Sequence, residues 1–196
     1  MDIQTRSGSI HQMKVFGILL AATVAAIQLG GCSTAPKVQD REAFLDSAES
    51  TTRWFERNVY GLRRQIDASA GYLVFPGVAQ WGTLIGGGTA GRGALYTPDG
   101  RQLGWAAINI GSIGLQVGVQ GFRMLMVLED ETALQHFKAN LLTGSVDGVA
   151  VAVEAGGSGA ASFTHGVAVY QGANVGLMAG MNIGLNYIRY EPLYSR

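Results

Sequence analysis

The sequence predicts an α+β fold: a dominant antiparallel, glycine-rich β-sheet, open or barrel-like, with an N-terminal amphipathic helix and one short helix. Three observations carry this expectation. From Ile113 to Gln120, apolar residues (Ile113, Leu115, Val117, Val119) alternate with Gly114, Gln116, Gly118 and Gln120, the period-two pattern of a strand. The same two-faced pattern returns from Val175 to Asn186. Between Asp40 and Ile66 the apolar spacing changes to three, four and seven, which is helical.

The N-terminus reads as a targeting segment and is set aside from the fold. Arg6 and Lys14 form a positive region, and Val15 to Ile27 is an apolar stretch too short to span a bilayer comfortably. Leu29-Gly30-Gly31-Cys32 then resembles a bacterial lipobox, in which the cysteine receives a diacylglyceryl group. Cys32 is the single cysteine of the chain, and lipidation accounts for a lone thiol in an exported protein. The expected division is a lipoprotein signal peptide over 1–31, a tether over 32–39 and one folded domain over 40–196. Ser33, after the lipidated position, resembles the default for outer-membrane sorting, which implies an envelope protein facing the periplasm. The chain of 196 residues has zero formal net charge, so it lacks the basic excess of a nucleic-acid binder. Its 29 glycines are about twice the usual usage and sit among apolar strand residues, unlike a flexible linker.

After the tether, Asp40 opens the helical pattern. Phe44, Ala48, Phe55, Val59, Leu62 and Ile66 fall within about 60° of one another at 100° per residue, an apolar stripe. Arg53, Arg57 and Arg64 cluster within about 40° on the opposite side, with Arg63 beside Arg64. Glu42, Glu49 and Glu56 line up next to them, and Glu49 to Arg53 is a favourable i,i+4 pair. Gly61 is expected to kink or split the helix. Ala70 to Val78 reads as a strand ended by Pro76-Gly77, and Trp81 to Ile85 as the next strand segment. Gly86 to Gly91 fits G-x-G-x-x-G, but it leads into a strand rather than a helix and has no βαβ frame, so no nucleotide site is expected. Pro98-Asp99-Gly100-Arg101 is a turn. Leu103 to Leu128 reads as a long ribbon whose phase slips near Gly111-Ser112, as at a β-bulge. Glu129-Asp130-Glu131 starts a short helix with Leu134, Phe137 and Leu141 as its apolar face and Asn140 or Gly144 as its end. Val149, Val151 and Val153 alternate as a strand, and Val167 to Tyr170 and Val175 to Tyr190 complete the sheet.

In the central ribbon, Val117 and Val119 are expected to enter the main core, with Gln116 and Gln120 on the other face. Glycine-rich strand faces mark a close approach. Either a helix or second sheet packs tightly there, or Gly114, Gln116, Gly118 and Gln120 floor a groove for a flat or extended ligand.

Several of these motifs resemble the SYLF domain. Ala70-Gly71-Tyr72-Leu73-Val74-Phe75-Pro76 resembles its Val-Phe-Pro opening, and Gly86-Gly87-Gly88 with Gly91 and Gly93 its glycine-rich hairpin. Ser112-x-Gly114-x-Gln116-x-Gly118-x-Gln120 resembles its central signature, Ala133-Leu134 with Phe137 its short helix, and Gly176-Leu177-Met178-Ala179-Gly180 its closing motif. The resemblance implies a domain that binds phospholipid membranes with the help of a basic N-terminal amphipathic helix. Eukaryotic members occur in Src-homology proteins of actin patches and endocytosis, and bacterial members are often exported lipoproteins. Here only Arg53, Arg57, Arg63 and Arg64 stand where eukaryotic members carry a lysine-rich element. Actin regulation is therefore not carried over.

No residues are spaced as metal ligands, no G-x-S-x-G elbow occurs, and His136 and His165 stand alone. Asp130 and Glu131 read as helix-start residues rather than a catalytic pair. The expectation is a non-enzymatic module with no cofactor. It carries its own covalent lipid and binds membrane phospholipid, or else it docks another envelope component.

Overall fold

The computed structural model describes residues 34–82, 87–112, 118–142, 151–153, 158–175 and 188–194. Residues 1–33 with Cys32, Ile113 to Val117 (with Gly114 and Gln116) and residues 176–187 lie outside the described residues. A 3₁₀ turn at Val38–Asp40 leads into α1 (Arg41–Asn58). The expected apolar stripe is buried: Ala48, Phe55, Val59, Leu62 and Ile66 are shielded from solvent, and Phe44 packs at the rim. It does so across a break in the helix. Val59 turns extended, with φ −119° and ψ 109°. β1 (Val59–Tyr60) pairs in parallel with β7 (Ser158–Gly159). Gly61 then takes φ +83°, a left-handed value that glycine adopts without a Cβ penalty, and α2 (Leu62–Asp67) restarts the spiral.

The other strands are β2 (Gly71–Gly82), β3 (Gly87–Tyr96), β4 (Gln102–Ser112), β5 (Gly118–Leu128), β6 (Val151–Val153), β8 (Val167–Val175) and β9 (Ile188–Pro192). They form one sheet in the order β6-β8-β5-β2-β3-β4-β9, antiparallel except for β6 with β8. The order has two ends among the described residues, so the sheet is open and not a barrel.

Leu103 to Leu128 is not one ribbon: β2 and β3 lie between β4 and β5. Gly111 and Ser112 stay in register with Gly88 and Gly87, so no bulge interrupts this ladder up to Ser112, and the residues that follow lie outside the described residues. The bulge lies in β2, where both neighbours shift register around Pro76-Gly77. Proline has no N–H for the ladder, so the strand continues past Pro76 to Gly82 only by leaving residues unpaired there.

Both faces of the sheet are buried along most of its length. One carries Leu73, Phe75, Val78, Phe122, Met124, Met126 and Leu128 under α3 (Glu131–Lys138), which contributes Ala133, Leu134 and Phe137. The other carries Tyr72, Val74, Leu125, Val127 and Tyr170 under α1 and α2. Covering on both faces explains the unbroken Met124-Leu125-Met126-Val127-Leu128 run. By parity, Val119 belongs with Leu125 and Gln120 with Met124, which reverses the register expected from the sequence. Val119 is 79% exposed, beyond the helices, and Gln120 donates to Gln80 Oε1 at 2.8 Å.

The helix α3 starts where expected. Asp130 Oδ1 accepts from the Ala133 amide at 2.8 Å, and Asn140 at φ 57° ends the segment. Leu142, rather than Leu141, is the residue that enters the core beyond it.

Candidate basic cleft at the α1–α2 junction

The break at Val59–Gly61 determines where the arginines go. On one continuous helix Arg53, Arg57 and Arg64 would share a stripe. The left-handed step at Gly61 redirects α2, and a cleft of about 580 Å³ opens at the junction. Arg57, Arg63 and Arg64 line it, with Tyr60, Gly61, Glu56 and Asp67. Arg53 lies outside it and pairs back along α1 with Glu49 at 2.6 Å.

The three arginines of the cleft are not equivalent. Arg63 is committed: it pairs with Asp67, reaches Glu56 Oε1 at 3.4 Å and donates to the Pro98 carbonyl at 2.8 Å. Its hydrogen bond holds the Asp67 carboxyl below the usual carboxylate range, and the same bond raises the Arg63 guanidinium. Arg57 and Arg64 are exposed and make no ion pair among the described residues. Tyr60 beside them is 86% exposed. The cleft therefore offers two uncommitted guanidinium groups and a phenol around a third guanidinium fixed by carboxylates. Planar, fork-shaped donors suit phosphate oxygens.

The helix α2, which carries Arg63 and Arg64, is tied down by polar bonds. Tyr170 Oη accepts from the Ala161 amide at 2.8 Å and bonds Gln65 Oε1, while Gln65 Nε2 donates to the Ala161 carbonyl at 2.9 Å. Burial raises the Tyr170 phenol, which keeps it neutral. These bonds fix α2 to the sheet and so fix the side of the cleft that carries Arg64. Sequence spacing did not indicate this tie, because Gln65 and Tyr170 are 105 positions apart.

The glycine-face residues fare differently. Gly118 has open space where a Cβ would be, Gln120 is bonded to Gln80, and Gly114 and Gln116 lie outside the described residues. Elsewhere the space above glycines is taken by aromatic rings. A Cβ on Gly93 would lie 2.6 Å from the Phe75 ring, and one on Gly172 would lie 2.6 Å from the Trp54 ring. Arg123 also packs on Trp54, its guanidinium 4.5 Å from the ring centre. Aromatic coverage of a strand glycine restores the packing that the missing side chain gives up.

Among the described residues, no group of three His, Cys, Asp or Glu side chains could hold a metal ion, and no helix is long and apolar enough to cross a membrane. Fold and cleft together define an open-sheet α+β protein with a small cationic recess on its helical face. No family model matches the chain, and no curated protein is significantly similar to it.

Proposed function

We propose that this chain is an outer-membrane-anchored envelope lipoprotein, lipidated at Cys32, whose SYLF-like domain binds anionic phospholipid headgroups in the α1–α2 cleft. The observation that carries the reading is the pair Arg57 and Arg64, which flank one recess without carboxylate partners among the described residues. The apolar sides of α1 and α2 are buried on the sheet, so contact with lipid is made by the arginines and Tyr60 rather than by helix insertion. Each basic contact at an anionic surface contributes about 1 kcal/mol and is screened by salt. Two such contacts are weak alone. An N-terminal lipid supplies the effective concentration that makes them count.

The test is sedimentation of the unlipidated mature chain with phosphatidylglycerol and with phosphatidylcholine liposomes. Binding is expected only to the anionic liposomes, and to fall with salt. Arg57→Gln with Arg64→Gln should weaken it by about thirtyfold, the equivalent of two contacts. Arg53→Gln, outside the cleft, should change it little. Binding that ignores the double substitution refutes the cleft.

One observation favours a second reading, a module that docks another envelope component without a lipid ligand. Trp81 and Val119 are directly paired on neighbouring strands and are 44% and 79% exposed. Paired exposed apolar residues on a sheet face are a contact surface. Failure to bind either liposome, with loss of a cross-linked partner in Trp81→Ser, would select this reading.

A further inference from the structure

The segment expected to be a free tether is part of the folded body from Thr34 onward. The Thr34 amide donates to Glu191 Oε2 at 2.9 Å, beside β9. Ala35 is buried in a cluster with Ala94 and Trp105, against which Leu193 and Phe44 pack. Arg41 Nε donates back to the Pro36 carbonyl at 3.4 Å, and its guanidinium lies 5.6 Å from the centre of the Trp105 ring. Thr34, Ala35 and Pro36 are all buried. A hydrogen bond, a buried alanine and a latched carbonyl over three consecutive residues make a docked strap, not a flexible spacer.

The geometry leads us to propose that the lipidated chain is seated directly on the bilayer, with segments 34–38 and 191–194 as its membrane-facing surface. This inference rests on the reading of Cys32 as the lipid-bearing residue. Only two residue steps separate Cys32 from Thr34, a reach of at most ~7 Å. Acyl chains on Cys32 must enter the hydrocarbon, so a body docked at Thr34 cannot stand far off it.

The exposed residues on these two segments fit a headgroup layer. Val38 is 77% exposed and Tyr194 is 88% exposed, and Lys37 is exposed between the strap and Val38. An aromatic phenol, an apolar side chain and a cation are the types that settle at a lipid–water interface. The outer side of the first turns of α1, nearby in sequence, carries exposed Glu42, Asp46 and Glu49. An anionic surface repels these, so the strap and the end of β9 meet it there rather than the outer side of these first turns.

Cys32 is the only cysteine and its sulfur is consumed by lipidation, so a second cysteine can be labelled uniquely in the lipidated protein. Val38→Cys, Tyr194→Cys and Gln135→Cys are each labelled with a fluorophore. The labelled lipoproteins are reconstituted in phosphatidylethanolamine–phosphatidylglycerol nanodiscs containing a headgroup-nitroxide lipid. Gln135 is the control, exposed on α3, which packs on the opposite face of the sheet from α1. Strong quenching at positions 38 and 194 and none at 135 is expected, and Glu191→Ala, which removes the acceptor for the Thr34 amide, should reduce it at 194. Equal quenching at all three positions, or none at any, in protein whose mass carries the lipid overturns the seated orientation while leaving the anchor intact. A mature chain whose mass shows no lipid on Cys32 overturns the anchor reading and the proposal with it.

Discussion

The two ends of β2 and β5 belong to the same pair of strands and meet different fates. At one end Leu73 and Val74 on β2 stand beside Met126 and Leu125 on β5, and all four are fully buried because α3 covers one face and α1 with α2 the other. At the other end Trp81 pairs with Val119 in solvent, while Gln80 and Gln120 bond to each other on the face that elsewhere holds the main core. Alternation assigns residues to two faces. It does not say which face is covered, or how far along the strand the cover extends. That depends on where α1 crosses and where it stops.

The largest expected effect tests this contrast directly. Met124→Asp places a carboxylate where no water reaches and should cost more than about 4 kcal/mol, seen as loss of the folded baseline in urea. Val119→Asp, five residues away on the same strand, should stay within about 0.5 kcal/mol of the parent. A large loss for Val119→Asp would mean that the bare end is covered in solution.

A smaller effect, of opposite sign, separates a ring-covered glycine from a bare one. Gly93→Ala forces its Cβ against the Phe75 ring and should destabilise by about 1–3 kcal/mol in a denaturation curve. Gly121 has open space at its Cβ position and no positive φ. Gly121→Ala should therefore stabilise by about 0.4–1 kcal/mol, through the entropy of the unfolded chain. Equal effects at both sites would remove the distinction between ring-covered and bare glycines.

The smallest effect appears only at high pH. Tyr72 and Tyr96 stack at the helix-covered end with ring centres 5.4 Å apart. Burial pushes the Tyr96 phenol from 10 up to about 12. A raised value means the folded chain keeps its proton where the unfolded chain has lost it. The stability is intact below pH 10 and declines as the pH rises toward about 12. Tyr96→Phe should make this decline shallower in urea titrations at stepped pH, and an unchanged slope would show that Tyr96 does not titrate in this way.

Much of the element content was legible. The buried stripe from Ala48 to Ile66, the turn at Pro98-Asp99-Gly100 and the acid-capped start of α3 follow from periodicity and turn chemistry, which are local. The register of Val119 and Gln120 was read in reverse because nothing local distinguishes the covered side from the bare one. The cleft was half legible. Arg57, Arg63 and Arg64 stand out as basic residues near Gly61, but grouping them with Arg53 assumed a straight helix.

Short-range physics is written along the chain: side-chain period, turn residues, and a helix start beside acids. The sequence alone therefore determined an α+β protein with a dominant antiparallel sheet, a buried helical stripe and a break at Gly61. Contacts between distant residues decided the rest. The pairing of β1 with β7 draws the chain out of α1, the Gln65–Tyr170–Ala161 bonds orient α2, and Glu191 holds Thr34. Each depends on two segments meeting in space, which no pattern within either segment encodes. Those meetings decided which arginines share a cleft, which glycines lie beneath rings, and that the chain from Thr34 onward is part of the folded body.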